Sequence, residues 1–160
     1  MSFIKKAVLV WSAVAALAGA LAPAAQAQQT QVLSFYNPAV HGMLDANCSG
    51  AGPVTWAPVG GGSCQQWRLV PASQGLLLVN VGNGMCVQAP AQVSENPDMV
   101  TCDALDPTEQ WLMESVGDQV FIAQASAPHH VLAATQNFDR IEYQEKTGVA
   151  QQLWYTTPPV

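Results

Sequence analysis

Three evenly spaced tryptophans limit what this chain can fold into. Gln65-Gln66-Trp67, Glu109-Gln110-Trp111 and Gln152-Leu153-Trp154 each place a Gln or Glu two positions ahead of a Trp, at intervals of 44 and 43 residues. Such regular spacing points to three copies of one supersecondary unit, and a unit of this size cannot bury its apolar face alone. The openings agree with that reading: Val32-Leu33-Ser34-Phe35-Tyr36-Asn37, Leu76-Leu77-Leu78-Val79-Asn80 and Val120-Phe121-Ile122-Ala123-Gln124 are apolar segments that end on a polar residue. Turns follow at Pro38 to Gly42, Gly82-Asn83-Gly84 and Ser126-Ala127-Pro128, then second strands at Met43-Leu44-Asp45, Met85-Cys86-Val87-Gln88 and Val131-Leu132-Ala133. Beyond residue 27 no 11-residue stretch keeps a helical period without Gly or Pro, so the reading is all-β. Propellers have a similar period but at least four blades. Three units predict a closed β-trefoil, with Trp67, Trp111 and Trp154 as equivalent core residues near a pseudo-threefold axis.

The first 27 residues read as an export signal. Lys5 and Lys6 form a basic start, Ala7 to Leu21 is an apolar run, and Ala25-Gln26-Ala27 is a small-residue cleavage site. The run is shorter than the roughly 20 residues needed to span a bilayer, and no later segment is longer, so no membrane span is expected. Residues 28–160 then form a single domain in which Arg68, Arg140 and Lys146 are the only fixed cations against 11 carboxylates, a net charge of −8. That balance argues against a nucleic-acid partner, because phosphate contacts need a basic face.

All four cysteines lie in this part, and an even count in an exported chain points to disulfides. Cys48 to Cys64 and Cys86 to Cys102 are each 16 positions apart, so sequential pairing closes two similar loops, although two other connectivities remain open. A zinc site is disfavoured: there is no C-x-x-C, and the neighbouring side chains of His129-His130 are expected to point apart on a strand. No cofactor is implied.

The repeats resemble those of the ricin B-like, or R-type, lectins, whose signature is Q-x-W. The second unit matches best, with Asn80, Gly84, Cys86-Val87-Gln88, Cys102 and Glu109-x-Trp111. The resemblance implies a disulfide between Cys86 and Cys102. It also implies a shallow sugar pocket within a repeat: an Asp two residues after the first Cys position accepts hydrogen bonds from adjacent hydroxyls, an aromatic ring stacks on the sugar, and amides ahead of the Trp complete the contacts.

Matched position by position, the first unit supplies Asp45 as the acid, Trp56 near the stacking place and Gln65 as the amide. Cys64 stands where Asn is usual, and a Cys48–Cys64 bond would cross the pocket, either bracing its rim or filling it. The second unit has Gln88 for the acid and Val100 near the aromatic place, which points away from a sugar site. In the third, Ala133 replaces the acid, while Tyr143, Gln151 and Gln152 remain as a weaker candidate.

Other motifs carry less. Gly60-Gly61-Gly62-Ser63 lacks the Lys and helix of a phosphate loop. There is no G-x-S-x-G elbow, and His41, His129 and His130 have no nucleophile at motif spacing. Asp103 and Asp106 read as solvated loop carboxylates before they read as a glycosidase pair. The chain is therefore expected to be no enzyme, but a secreted or periplasmic carbohydrate-binding module whose partner is a glycan or glycoconjugate. A second expectation, from likeness to the cell-targeting subunits of cytolethal distending toxin, is a partner protein subunit met through an exposed aromatic cluster of Phe35, Tyr36 and Trp56 or through an unusual apolar patch. A third is a secreted hydrolase inhibitor acting through one rigid loop.

Overall fold

In all three units the Trp indole is fully buried and its Nε1–H donates to the carbonyl of an apolar residue at the middle of that unit's second strand: Trp67 to Leu44 (3.1 Å), Trp111 to Val87 (2.9 Å) and Trp154 to Leu132 (3.1 Å). The same bond made three times establishes the pseudo-threefold relation directly. A buried indole N–H needs an acceptor, and here that need fixes each barrel strand to its own hairpin.

The computed structural model describes residues 31–48, 50–136 and 139–159; the expected export signal lies outside them. The first unit contains β1 (Val32–Asn37), β2 (Gly42–Asp45), β3 (Gly52–Pro53), β4 (Thr55–Ala57) and β5 (Trp67–Pro71). The second contains β6 (Leu76–Asn80), β7 (Cys86–Gln88), β8 (Asp98–Val100) and β9 (Gln110–Val116). The third contains β10 (Gln119–Gln124), β11 (Ala127–Ala134), β12 (Ile141–Glu145) and β13 (Tyr155–Thr157). Just before each Trp lies a short 3-10 turn, at Gly62–Gln65, Pro107–Glu109 and Ala150–Gln152.

Six strands close a barrel. β1 pairs with β5, β5 with β6, β6 with β9 and β9 with β10; Val120 and Trp154 exchange backbone hydrogen bonds, and β13 returns to β1 through Ser34 opposite Thr157. Each opening strand meets its own tryptophan, as Leu33 opposite Trp67, Leu76 opposite Trp111 and Val120 opposite Trp154. The hairpins β2–β4, β7–β8 and β11–β12 cap this barrel. Bonds between hairpins join the cap: Val54 N–H to Pro97, Tyr143 N–H to Glu95, and Trp56 N–H to the carbonyl of Asp139 (2.9 Å). The shared core between barrel and cap holds the three tryptophans with Phe35, Leu44, Leu78, Val87, Met99, Ile122, Leu132 and Ile141. The fold is a β-trefoil.

Two of the polar residues closing the opening strands hold one unit to the one before it. Asn37 Nδ2 donates to the carbonyls of Gln151 (2.8 Å) and Leu153 (3.1 Å), and Asn80 Nδ2 to those of Cys64 (2.8 Å) and Gln66 (3.3 Å). In each case the amide bonds carbonyls at a 3-10 turn; those of Cys64 and Gln66 also accept the N–H groups of Ala46 and Val81. Both disulfides are the sequential ones, Cys48–Cys64 and Cys86–Cys102, with Cα separations of 5.4 and 5.0 Å.

Two local expectations change. The third turn is shorter than the Ser126-Ala127-Pro128 pattern suggests, because β11 already begins at Ala127 and is irregular: Gln124 lies opposite Ala127 but Ala123 opposite Val131. The extra residues on β11 break the strict alternation, so His129 and His130 do not diverge; their ring centroids are 4.1 Å apart.

Candidate functional site

The expected acid and aromatic of the first unit do come together. Asp45 ends β2, Trp56 lies at the centre of β4, and the register sets Leu44 opposite Trp56 and Asp45 opposite Thr55. With Asn47, Ala57, Gly61, Cys64 and Asp139 they line a cavity of about 480 Å³.

Asp45 is 6% exposed, and its carboxylate is fixed from the protein side. Oδ1 accepts the N–H of Asn47 (2.5 Å) and Oδ2 accepts Nε2 of Gln65 (2.9 Å). An ionised carboxylate has about four acceptor positions, of which these two donors occupy one on each oxygen among the described residues. Asn47 can donate from there because the chain turns through left-handed conformations at Asn47 and Cys48, with φ of 55° and 42°. Asn adopts that region more readily than most residues.

Trp56 is half-buried. Its Nε1–H donates to the carbonyl of Thr135 (2.6 Å), while the six-membered ring lies against Gly42, where an added Cβ would sit 2.4 Å from Cε3. Glycine at position 42 therefore sets how the indole lies.

The Cys48–Cys64 bond braces the rim rather than filling the pocket. Cys64 contributes to the wall, its carbonyl accepts the N–H of Ala46 (3.1 Å), and Cys48 Sγ packs outward onto the Gly82 turn, where a Cβ would be 2.6 Å away.

Gln65 occupies a different place from the one its position ahead of Trp67 suggests. It is fully buried, and all four hydrogen-bonding positions of its amide are used: Oε1 accepts from Gly60 (3.2 Å) and Gly61 (3.0 Å), while Nε2 donates to the Pro58 carbonyl (2.8 Å) and to Asp45. Gln152 repeats the arrangement, accepting from Thr147 (2.9 Å) and Gly148 (3.0 Å) and donating to Glu145 (2.7 Å) and Gln144 (3.3 Å). The Gln of Q-x-W is thus a brace for the loop ahead of its own tryptophan, and neither amide is open to a ligand. The Gly-rich stretch at 60–62 is the loop braced in the first unit.

In the third unit Tyr143 is 3% exposed and points inward, its hydroxyl donating to Gln124 Oε1 and lying 3.1 Å from His130 Nδ1. Burial raises the Tyr143 phenol above its usual range. No ring face is presented for stacking there. In the second unit the residue opposite Val87, equivalent to Trp56 and Tyr143, is Met99 and not Val100, and it too is buried. Gln88 is engaged by Asp106 (3.2 Å).

Asp106 caps the second 3-10 turn, accepting from Thr108 N–H (2.8 Å) and Oγ1–H (2.6 Å); these bonds, the hydroxyl foremost, hold its carboxyl below the usual range. Asp103 Oδ1 accepts from Leu105 N–H (2.9 Å), so both carboxylates serve their own loop.

The aromatic cluster expected at Phe35, Tyr36 and Trp56 does not form. Phe35 is buried in the core, and Tyr36 bonds His41 (3.2 Å); the alternation of β1 turns neighbouring side chains to opposite faces. Asp139 carried no signal in the sequence. It reaches the pocket only because Trp56 N–H bonds its carbonyl across the cap, 83 residues away.

No family model matches the chain, and no curated protein matches it by sequence. Solved structures do. A ricin B-like lectin from Macrolepiota procera, in complex with lactose, superposes at a TM-score of 0.66 with 15% identity, covering 84% of this chain and 99% of the lectin. The fold is that of the ricin B-like lectins. A designed threefold-symmetric protein, ThreeFoil, gives 0.71 at 17% identity, covering 79% and 97%. The cytolethal distending toxin of Actinobacillus actinomycetemcomitans gives 0.68 at 15%, covering 81% and 92%. The ricin B-like trefoil thus holds here at an identity too low to transfer any of these proteins' ligands or partners.

Proposed function

We propose that the chain is an exported, non-catalytic glycan-binding module whose sugar site is the Asp45–Trp56 pocket of the first unit. The observation that carries this reading is that the pinned Asp45 carboxylate and a half-buried indole line the same cavity. Two adjacent sugar hydroxyls can donate to one carboxylate, and the aromatic wall covers the C–H face of the ring. The fold likeness to a lectin bound to lactose supports the same reading. Both disulfides agree with an oxidising compartment, and among the described residues no helix is long and apolar enough to cross a membrane.

Single shallow sites bind weakly, so the test is a glycan array probed with residues 28–160 displayed multivalently. The expected result is a set of hits that free monosaccharide competes away and that Trp56→Ala abolishes. A blank array at every display density, or hits unaffected by Trp56→Ala, overturns the proposal.

A further inference from the structure

Resting on that reading, the charge of the pocket selects among sugars. Asp45 and Asp139 both line it, and none of the lining residues is a Lys, Arg or His. The hydrogen bonds that hold Asp45 come from neutral donors, a backbone N–H and the Gln65 amide. The nearest cation along the chain, Arg140, is engaged by the second unit, its Nε donating to Asn96 Oδ1 (2.7 Å). Lys146 is engaged by Glu114 (2.7 Å). The lining therefore carries two acidic residues and an indole with no Lys, Arg or His among them, and the face of an indole attracts cations.

We infer that this site takes amino sugars bearing a free ammonium group in preference to neutral sugars, and excludes uronic and other acidic sugars. The ammonium is a donor to whichever carboxylate oxygen a hydroxyl would otherwise reach, and it supplies the charge the site lacks. A sugar carboxylate would meet Asp45 and Asp139 with no cation to offset the repulsion.

The experiment is a 1H–15N titration of the chain with the methyl glycosides of galactosamine, N-acetylgalactosamine, galactose and galacturonic acid, and with the matching gluco series, at low and at high salt. The ammonium sugar is expected to bind about tenfold more tightly than its neutral counterpart at low salt, and the preference is expected to shrink as salt screens it. Asp139→Asn is the decisive variant. Asp139 has φ of 54°, a conformation Asn also adopts, so the backbone is kept while one charge is removed. The ratio of ammonium to neutral binding is expected to fall in Asp139→Asn and to hold in Asp118→Asn, which removes an equal charge at the exposed turn between β9 and β10. Equal binding of the charged and neutral members, or a ratio that falls equally in both variants, overturns the charge selection while leaving the sugar site standing. Binding by no member of either series overturns the sugar site with it.

Discussion

The side-chain amide of Gln65 donates to Oδ2 of Asp45 at 2.9 Å from a position with no solvent exposure. One residue of the repeat motif thus orients, from within the fold, the carboxylate of the proposed site.

Replacing Gln65 by Ala leaves the Gly60 and Gly61 N–H groups, the Pro58 carbonyl and one side of Asp45 without their partner. The expected loss is about 2–3 kcal/mol in urea unfolding. Sugar binding is expected to weaken as well, while Gln152→Ala costs similar stability and leaves binding unchanged. Retention of full affinity in Gln65→Ala would show that Asp45 needs no orientation.

Gly42→Ala should act through Trp56. The new methyl would overlap the indole Cε3, and relieving that overlap costs about 1–3 kcal/mol and shifts the ring. Affinity in Gly42→Ala is expected to drop toward that of Trp56→Ala, read by the array and by thermal melting together. Wild-type binding in a folded Gly42→Ala protein would remove Trp56 orientation from the site.

The Glu109 carboxyl is raised above its ordinary range, chiefly by burial, against the opposing bond from Asp103 N–H. A carboxyl raised in the folded state contributes stability that is full below its unfolded pKa and is lost as pH rises through the folded value. Glu109→Gln, which restores the residue found in the other two units, is therefore expected to match the parent near pH 4 and to melt higher at pH 7. A variant no more stable at pH 7 would assign the carboxylate a favourable partner instead.

Each disulfide spans 16 positions, and losing either is expected to cost about 3 kcal/mol in the chain-entropy model. The two should separate in function. Cys86→Ser with Cys102→Ser lowers the melting temperature and keeps sugar binding, whereas Cys48→Ser with Cys64→Ser lowers both, because that bond ties the Asn47 turn to the pocket wall. Equal binding in both double variants would free the site from its rim.

The sequence made the barrel legible because its main signals are repeated three times: a Gln or Glu two positions ahead of a Trp in each unit, after a similar strand opening. The pocket was half legible. Asp45 and Trp56 fall at offsets that survive folding, since they sit on paired strands. Gln65, Gln152 and Tyr143 sit at the expected offsets but are buried and engaged within the protein; whether an amide faces a loop or a ligand depends on its rotamer and on a 3-10 turn that sequence spacing does not encode. Met99 rather than Val100 at the stacking position reflects a single step of strand register, which exchanges one face for the other. Asp139 depends on a contact between the first and third units, which no motif records.

Ser34 opposite Thr157 closes the ring, and Asn37 clasps the last 3-10 turn, so the barrel has no loose edge once both are in place. A barrel sealed this way must gather strands from opposite ends of the chain before it is stable, which makes assembly slow and strongly cooperative. Until that seam forms, β1 and β13 each present an open margin on which another copy could build, so a chain clipped before the seam closes would be prone to clump.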